Sequence, residues 1–256
     1  MKKALVFGYM VKVFLKWFIG LLVIPAAVIG SLYSLNEAGY FNLQTVDISF
    51  SKNSEHVHFL VPLKVELQEL IEAQKGKSLW KLNLQLIADS IRKKKWVLNL
   101  QITRRWPGTL AVMIVPQDIK LLYSSRAGKL LPVVSDGSLL DPVSLENSPD
   151  VTLLEGEHFE HNLELRKKAV QMIDEIPTEG KFSPKRISEI RHDSKDGFWM
   201  TMMKTGLRVK MGEDNFALKA SRVGQVIEYM ENRQLEARVI DANLSKKVLV
   251  RLRKDP

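Results

Sequence analysis

Between Gly76 and Pro116 the spacing of apolar residues changes once, from helical to extended, and that change limits the possible folds more than any other feature of the chain. Leu82, Leu86, Ile87, Ser90 and Ile91 recur at three- and four-residue steps, the pattern of an amphipathic helix, with Arg92 to Lys95 crowding its last turn. The period then falls to two. Val97, Asn99, Gln101 and Thr103 alternate with Leu98, Leu100 and Ile102; Trp106-Pro107-Gly108 makes a turn; Leu110 to Val115 is rich in β-branched residues. Upstream, Val46, Ile48 and Phe50 alternate with Asp47 and Ser49, and Pro62 precedes a helical stripe of Leu63, Leu67, Leu70 and Ile71. The predicted order is β-α-α-β-β.

That order carries a family signature. Gly76, Leu79 and Leu82 open the second helix as Gly-x-x-Leu-x-x-Leu, Trp96-Val97 opens a strand, and Arg104-Arg105-Trp106-Pro107 with Leu110 joins the last two strands. Together these residues resemble the polypeptide-transport-associated (POTRA) domain of the bacterial cell-division family FtsQ/DivIB. Pro116-Gln117-Asp118 stands where many members carry a glutamate.

Trp17 to Leu35 is free of charge and, at 1.5 Å per residue, nearly matches a hydrocarbon layer of about 30 Å. Lys2, Lys3, Lys12 and Lys16 precede it and Glu37 is the first charge after it, so the positive-inside rule puts residues 1–16 in the cytoplasm and everything after 35 outside. A cleaved signal peptide is the competing reading, with Pro25-Ala26-Ala27 and Gly30-Ser31 as small residues. Against it stand a run longer than the usual signal core and the flanking Trp17 and Tyr33, placed as an aromatic belt.

The residues beyond the anchor suffice for two small domains. There is no cysteine, which excludes disulfides and thiolate metal sites. Of the net charge of +9, four units lie before the apolar run, and the remaining +5 suits an acidic partner or ordinary solubility. The basic runs Arg92 to Lys95 and Lys246 to Lys254 have no interleaved aromatics, which argues against nucleic-acid binding.

From Gln117 onward, short strands are expected at Lys120–Ser124, Leu130–Val134, Val151–Leu154, Ile187–Arg191, Phe198–Met203 and Leu207–Met211, most bounded by glycine. Helices are expected over Leu163–Ile176 and Phe216–Arg233, the latter with a buried stripe of Leu218, Val223, Val226, Ile227 and Met230. Two alternating segments, Arg238–Ala242 and Lys247–Arg253, close the chain. Ser135-Asp136-Gly137, Leu153-Leu154-Glu155-Gly156, Gly206 to Gly212 and Val239-Ile240-Asp241 resemble FtsQ/DivIB here too, although Ala242-Asn243-Leu244 replaces the arginine and tyrosine that often follow that aspartate. The expected fold class is α+β: a transmembrane helix (17–35), a POTRA domain (43–116) and a mixed, mostly antiparallel β domain with two helices (117–256).

Candidate chemistry is sparse. His56 with His58 and His158 with His161, the latter pair in a Glu-rich loop, lack a third ligand at recognisable spacing, so no metal is expected. Asp136, Asp141 and His192 are the residues an envelope cell-wall hydrolase would use, but Gly137-Ser138 and Asp193-Ser194 fit hairpin turns as well. A POTRA-type secretion component is a further alternative, weakened by the lack of repeated barrel strands. No phosphate loop, Gly-x-Ser-x-Gly or His-Glu-x-x-His occurs, and no cofactor is expected.

The resemblance implies a non-enzymatic divisome scaffold at the septum of the cytoplasmic (inner) membrane. It would bind FtsB and FtsL-like proteins and help to control septal peptidoglycan synthesis. Two surfaces are expected to carry this. One is an edge strand with its approach, Leu244, Ser245, Lys246, Lys247, Val248, Leu249, Val250, Arg251, Leu252 and Arg253, in which Val248, Val250 and Leu252 share one face. The other is a recruitment surface on the POTRA hairpin, Arg104, Arg105 and Trp106.

Overall fold

The computed structural model describes residues 2–51, 60–244 and 247–253. Helix α1 (Lys2–Glu37) runs unbroken through Pro25. Along its second half Leu21, Leu22, Ile24, Ile29 and Tyr33 all project outward. A helix apolar on every side has no polar face to give to water. The Ser31 hydroxyl is satisfied within the helix, donating to the Ala27 carbonyl at 2.8 Å.

The helix ends in a Schellman motif. Gly39, at φ +77°, adopts the left-handed conformation that reverses the chain, its N–H donates to the Asn36 carbonyl, and the Tyr40 N–H reaches back to the Leu35 carbonyl. The first of two units holds α1 and most of the segment to residue 114. Strands β1 (Thr45–Phe50), β2 (Val97–Arg105) and β3 (Thr109–Pro116) form a sheet in the order β1-β3-β2, with β1 parallel to β3. Helices α2 (Val61–Glu72) and α3 (Leu84–Arg92) supply Leu63, Leu67, Ile71, Ile87 and Ile91 to the core beneath it. Asn83 caps α3 by accepting from the N–H groups of Gln85 and Leu86. The observed order is β-α-α-β-β, as expected, but Leu86 faces solvent and Ala88 takes the buried place beside Ile87.

The second unit contains an eight-stranded sheet, β4 (Ile119–Ser124), β5 (Leu130–Val134), β6 (Leu153–Glu155), β7 (Ile187–Asp193), β8 (Gly197–Met202), β9 (Arg208–Gly212), β10 (Ala237–Asp241) and β11 (Leu249–Leu252), ordered β11-β10-β9-β8-β7-β6-β4-β5. The pairs β4-β6, β6-β7 and β9-β10 are parallel and the other four antiparallel. A one-turn helix α4 (His158–His161) replaces the loop expected around that histidine pair. Helices α5 (Leu163–Glu175) and α6 (Phe216–Asn232) pack against each other, α5 over β4 and α6 over β9. Phe198, Met200 and Met202 of β8 and Val209 and Met211 of β9 alternate into this core, while Trp199 and Thr201 lie half-buried on the opposite face. On α6 the buried line is Phe216, Ala220, Val223, Ile227 and Met230. Leu218, expected there, is exposed, and Lys219 is buried.

Candidate interaction surfaces

Strand β11 occupies the edge of the large sheet. It pairs only with β10 among the described residues, antiparallel, with Asp241 opposite Leu249, Ile240 opposite Val250 and Val239 opposite Arg251. The register slips between Ala237 and Val239. Val248 and Val250 turn a half-buried face to the core, whereas Leu249 and Leu252 stand 47% and 51% exposed. Leu252 thus leaves the expected core-facing row, at the point where the register with β10 slips. A free strand edge with two exposed leucines is a template for another extended chain.

Its flanking cations differ in availability. Lys247 and Arg251 are exposed. Arg253 is held within the unit, with its backbone N–H on the Glu236 carbonyl and its guanidinium 3.3 Å from both a Glu236 carboxylate oxygen and the Thr205 carbonyl. Ser245 and Lys246 lie outside the described residues, as do His56 and His58. Beside the strand, a groove of about 770 Å³ is lined by Met202, Met203, Leu207, Ile227, Met230 and Leu235, with Lys181, Lys185, Arg186 and Arg253 around it.

The approach to β11 is fixed by a buried amine. Lys219 donates to the Met211 carbonyl at 2.9 Å, the Asp214 carboxylate at 2.8 Å and the Asn243 side-chain oxygen at 3.2 Å. Its bond and charge hold the Asp214 carboxyl below its ordinary range. Asn243 comes so close to Gly212 that a Cβ there would overlap its side chain, and the φ of +73° at Gly212 also suits glycine. Ala242 is buried with its N–H on the Lys210 carbonyl. The family departure Ala242-Asn243 therefore supplies its own anchor. Spacing could not have exposed this contact, because Lys219 and Asn243 are 24 residues apart.

On the POTRA hairpin the two arginines separate. Arg104 is partly buried and its guanidinium donates to the Leu79 and Leu82 carbonyls, each at 2.8 Å, so it fastens the loop before α3 to β2 rather than offering a free cation. Its expected place on a recruitment surface thus comes with a structural role inside the domain. Arg105 is exposed and 3.0 Å from Asp47. Trp106, followed by a cis peptide to Pro107, is half exposed.

The residues considered for catalysis have separate structural partners. Asp136 accepts from the Ser138 N–H at 2.8 Å, which lowers its carboxyl pKa. Asp141 lies 3.7 Å from Lys95 in an exposed pair. His192 meets Glu213 at 2.7 Å, and Lys168 shares that carboxylate at 2.6 Å. Asp193 accepts from the N–H groups of Lys195 and Asp196 and closes the β7–β8 turn. Among the described residues no group of three or more His, Asp or Glu side chains is placed to hold a metal ion.

Residues 64–115 match the POTRA domain, FtsQ-type, and residues 123–243 match Cell division protein FtsQ/DivIB, C-terminal. The chain belongs to the FtsQ/DivIB family. It is similar to Cell division protein FtsQ of Syntrophotalea carbinolica, 22% identical over 91% of this chain and 81% of that protein. The same-named protein of a Geobacter species is 27% identical over 74% of this chain and 73% of its own length. That of Geotalea daltonii is 20% identical over 83% and 76%. In this FtsQ/DivIB chain the first match covers α2 to β3, and the second runs from the end of β4 to Asn243, stopping just before β11.

Proposed function

We propose that this protein is a non-enzymatic scaffold of the cell-division machinery. It crosses the inner membrane once, N-terminus in the cytoplasm, and holds other membrane subunits of the septum through its external domains, thereby helping to control septal peptidoglycan synthesis. Its POTRA domain is taken as 43–116 and its β domain as 117–256. The observation that carries the reading is β11: an edge strand with exposed Leu249 and Leu252 and basic flanks, on a fold of the FtsQ/DivIB family. A strand of FtsB-like protein added to this edge would gain main-chain hydrogen bonds from the backbone and selectivity from side chains seated beside the leucines. Lys247 and Arg251 would favour an acidic segment, chiefly through encounter rate and register. An FtsL-like subunit would join through the same complex, and the exposed Arg105 of the POTRA hairpin would carry a second, recruiting surface.

The test uses full-length protein in detergent and a purified FtsB-like partner. Removal of residues 245–256 should abolish binding, and Arg251→Glu should weaken it and reduce its salt sensitivity. Undiminished affinity in a folded truncated protein would show that the edge is not the docking site.

A further inference from the structure

Four aromatic residues from three chain segments gather where α1 meets the POTRA fold. The indole planes of Trp80 and Trp106 lie 4.4 Å apart between centroids, tilted by 33°. Phe41 meets Trp106 edge-on at 5.6 Å and Trp80 at 6.1 Å, and Tyr40 stands edge-on to Phe41 at 5.3 Å. Offset and edge contacts of this kind hold aromatic rings firmly. Yet the cluster is open: Tyr40, Trp80 and Trp106 are 52%, 60% and 46% exposed. Adjacent exposed aromatics of this size mark a surface that something covers.

The position identifies the cover. Tyr40 donates its N–H to the Leu35 carbonyl, so its backbone lies within a turn of the last apolar residue of α1. The Leu79 N–H then donates to the Phe41 carbonyl, and the Ser78 hydroxyl donates to the Asn36 side-chain oxygen at 2.6 Å. Trp80 is therefore tied to the helix end through bonds made by the two residues just before it. With the apolar part of α1 in the hydrocarbon layer, the first several ångströms beyond it belong to the headgroup layer, which adds about 5–8 Å on each side. Trp and Tyr concentrate there because each joins an apolar ring to a polar N–H or O–H. Lys77 and Lys81 flank Trp80 and are exposed, suitably charged for lipid phosphates.

We infer that Tyr40, Phe41, Trp80 and Trp106 form a lipid-interface seat that lays the POTRA domain on the headgroup layer of the membrane spanned by α1. The inference rests on the membrane-spanning reading of α1. Because Tyr40 is bonded to the last turn of that helix and Phe41 to Leu79, the seat lies next to the layer in which the helix ends. The seat would fix the orientation of the POTRA domain toward the membrane plane.

The test reconstitutes the full-length chain in vesicles of phosphatidylcholine and phosphatidylglycerol brominated near the headgroup end of the acyl chains. Variants retain one tryptophan, at 17, 80 or 106, with phenylalanine at the other indole positions. Bromine should quench all three relative to unbrominated vesicles, and aqueous iodide should reach Trp80 and Trp106 poorly. If Trp17 is quenched while Trp80 and Trp106 escape bromine, the seat is wrong and the span stands; protection from iodide in that case would assign the cover to a protein instead. If Trp17 also escapes, the span itself fails. A second measurement leaves every aromatic residue in place. Because the chain has no cysteine, a nitroxide on Lys81→Cys is unique, and it should relax more with lipid-dissolved oxygen than with a water-soluble nickel chelate. The reverse order overturns the inference.

Discussion

Arg104 and Arg105 are neighbours in sequence and opposites in role. The side chain of Arg104 gives two guanidinium donors to backbone carbonyls of the loop before α3. Arg104→Leu would leave both carbonyls poorly solvated. A hydrogen bond to a charged group contributes about 1.5–3 kcal/mol, so this variant should lose at least that much stability in urea unfolding followed by far-UV circular dichroism. Arg105 is paired only at the surface, and such pairs contribute about 0–1 kcal/mol. Arg105→Glu should therefore unfold at nearly the wild-type midpoint yet disperse a fluorescent fusion from midcell. Normal septal localisation of the charge-reversed protein would remove Arg105 from the proposed recruitment surface. Sequence alone presents the two arginines as equivalent, since the bonds of Arg104 go to main-chain atoms 22 and 25 residues away.

At the scale of elements, period and punctuation made most of the fold legible. The alternation before Trp106 and the β-branched run after it correspond to β2 and β3, and the strands after Gln117 fall within two residues of their expected starts. Errors arose where residue type outweighed spacing. Leu218 is apolar, but the buried residues of α6 step by four and three from Phe216 through Ala220, Val223 and Ile227 to Met230, and position 218 lies off that line. Lys219 lies next to the line and is buried because its amine finds three oxygens. Leu86 misses α3's buried face for the same geometric reason. The strand order could not be read, because the pairing of β4 with β6 and of β9 with β10 joins segments separated by a helix or a long connection. Nor could the aromatic seat, which needs three separate segments in one place. The corrected stripe predicts that Ile227→Ala costs about 2–5 kcal/mol of stability and Leu218→Ala stays within about 0.5 kcal/mol, both from chemical denaturation of the full chain in detergent. Equal losses at the two sites would contradict the observed packing.

For the whole molecule, the decisive quantity is which side of the membrane receives residues after α1. The apolar half of α1 fixes depth but not direction, because a helix apolar on all sides is indifferent to being turned end for end. Direction comes from charge. Lys2, Lys3, Lys12 and Lys16 lie ahead of the uncharged run and Glu37 follows it, and basic residues close to a span stay on the cytoplasmic side during insertion. The folded residues after α1 do not oppose this, because long domains cross largely regardless of their own charge. A reporter enzyme active only outside the cytoplasm, fused after Pro256, should accordingly be active, and the product should stay with washed membranes at full length. Replacing the four lysines by asparagine should lower reporter activity without altering the helix, since the apolar residues that make the span are untouched. A shortened product released from membranes would instead identify the run as a cleaved leader. The seat at Tyr40 and Trp80 would then have no bilayer beneath it, so the orientation assay decides the membrane geometry of both the anchor and the domain it carries.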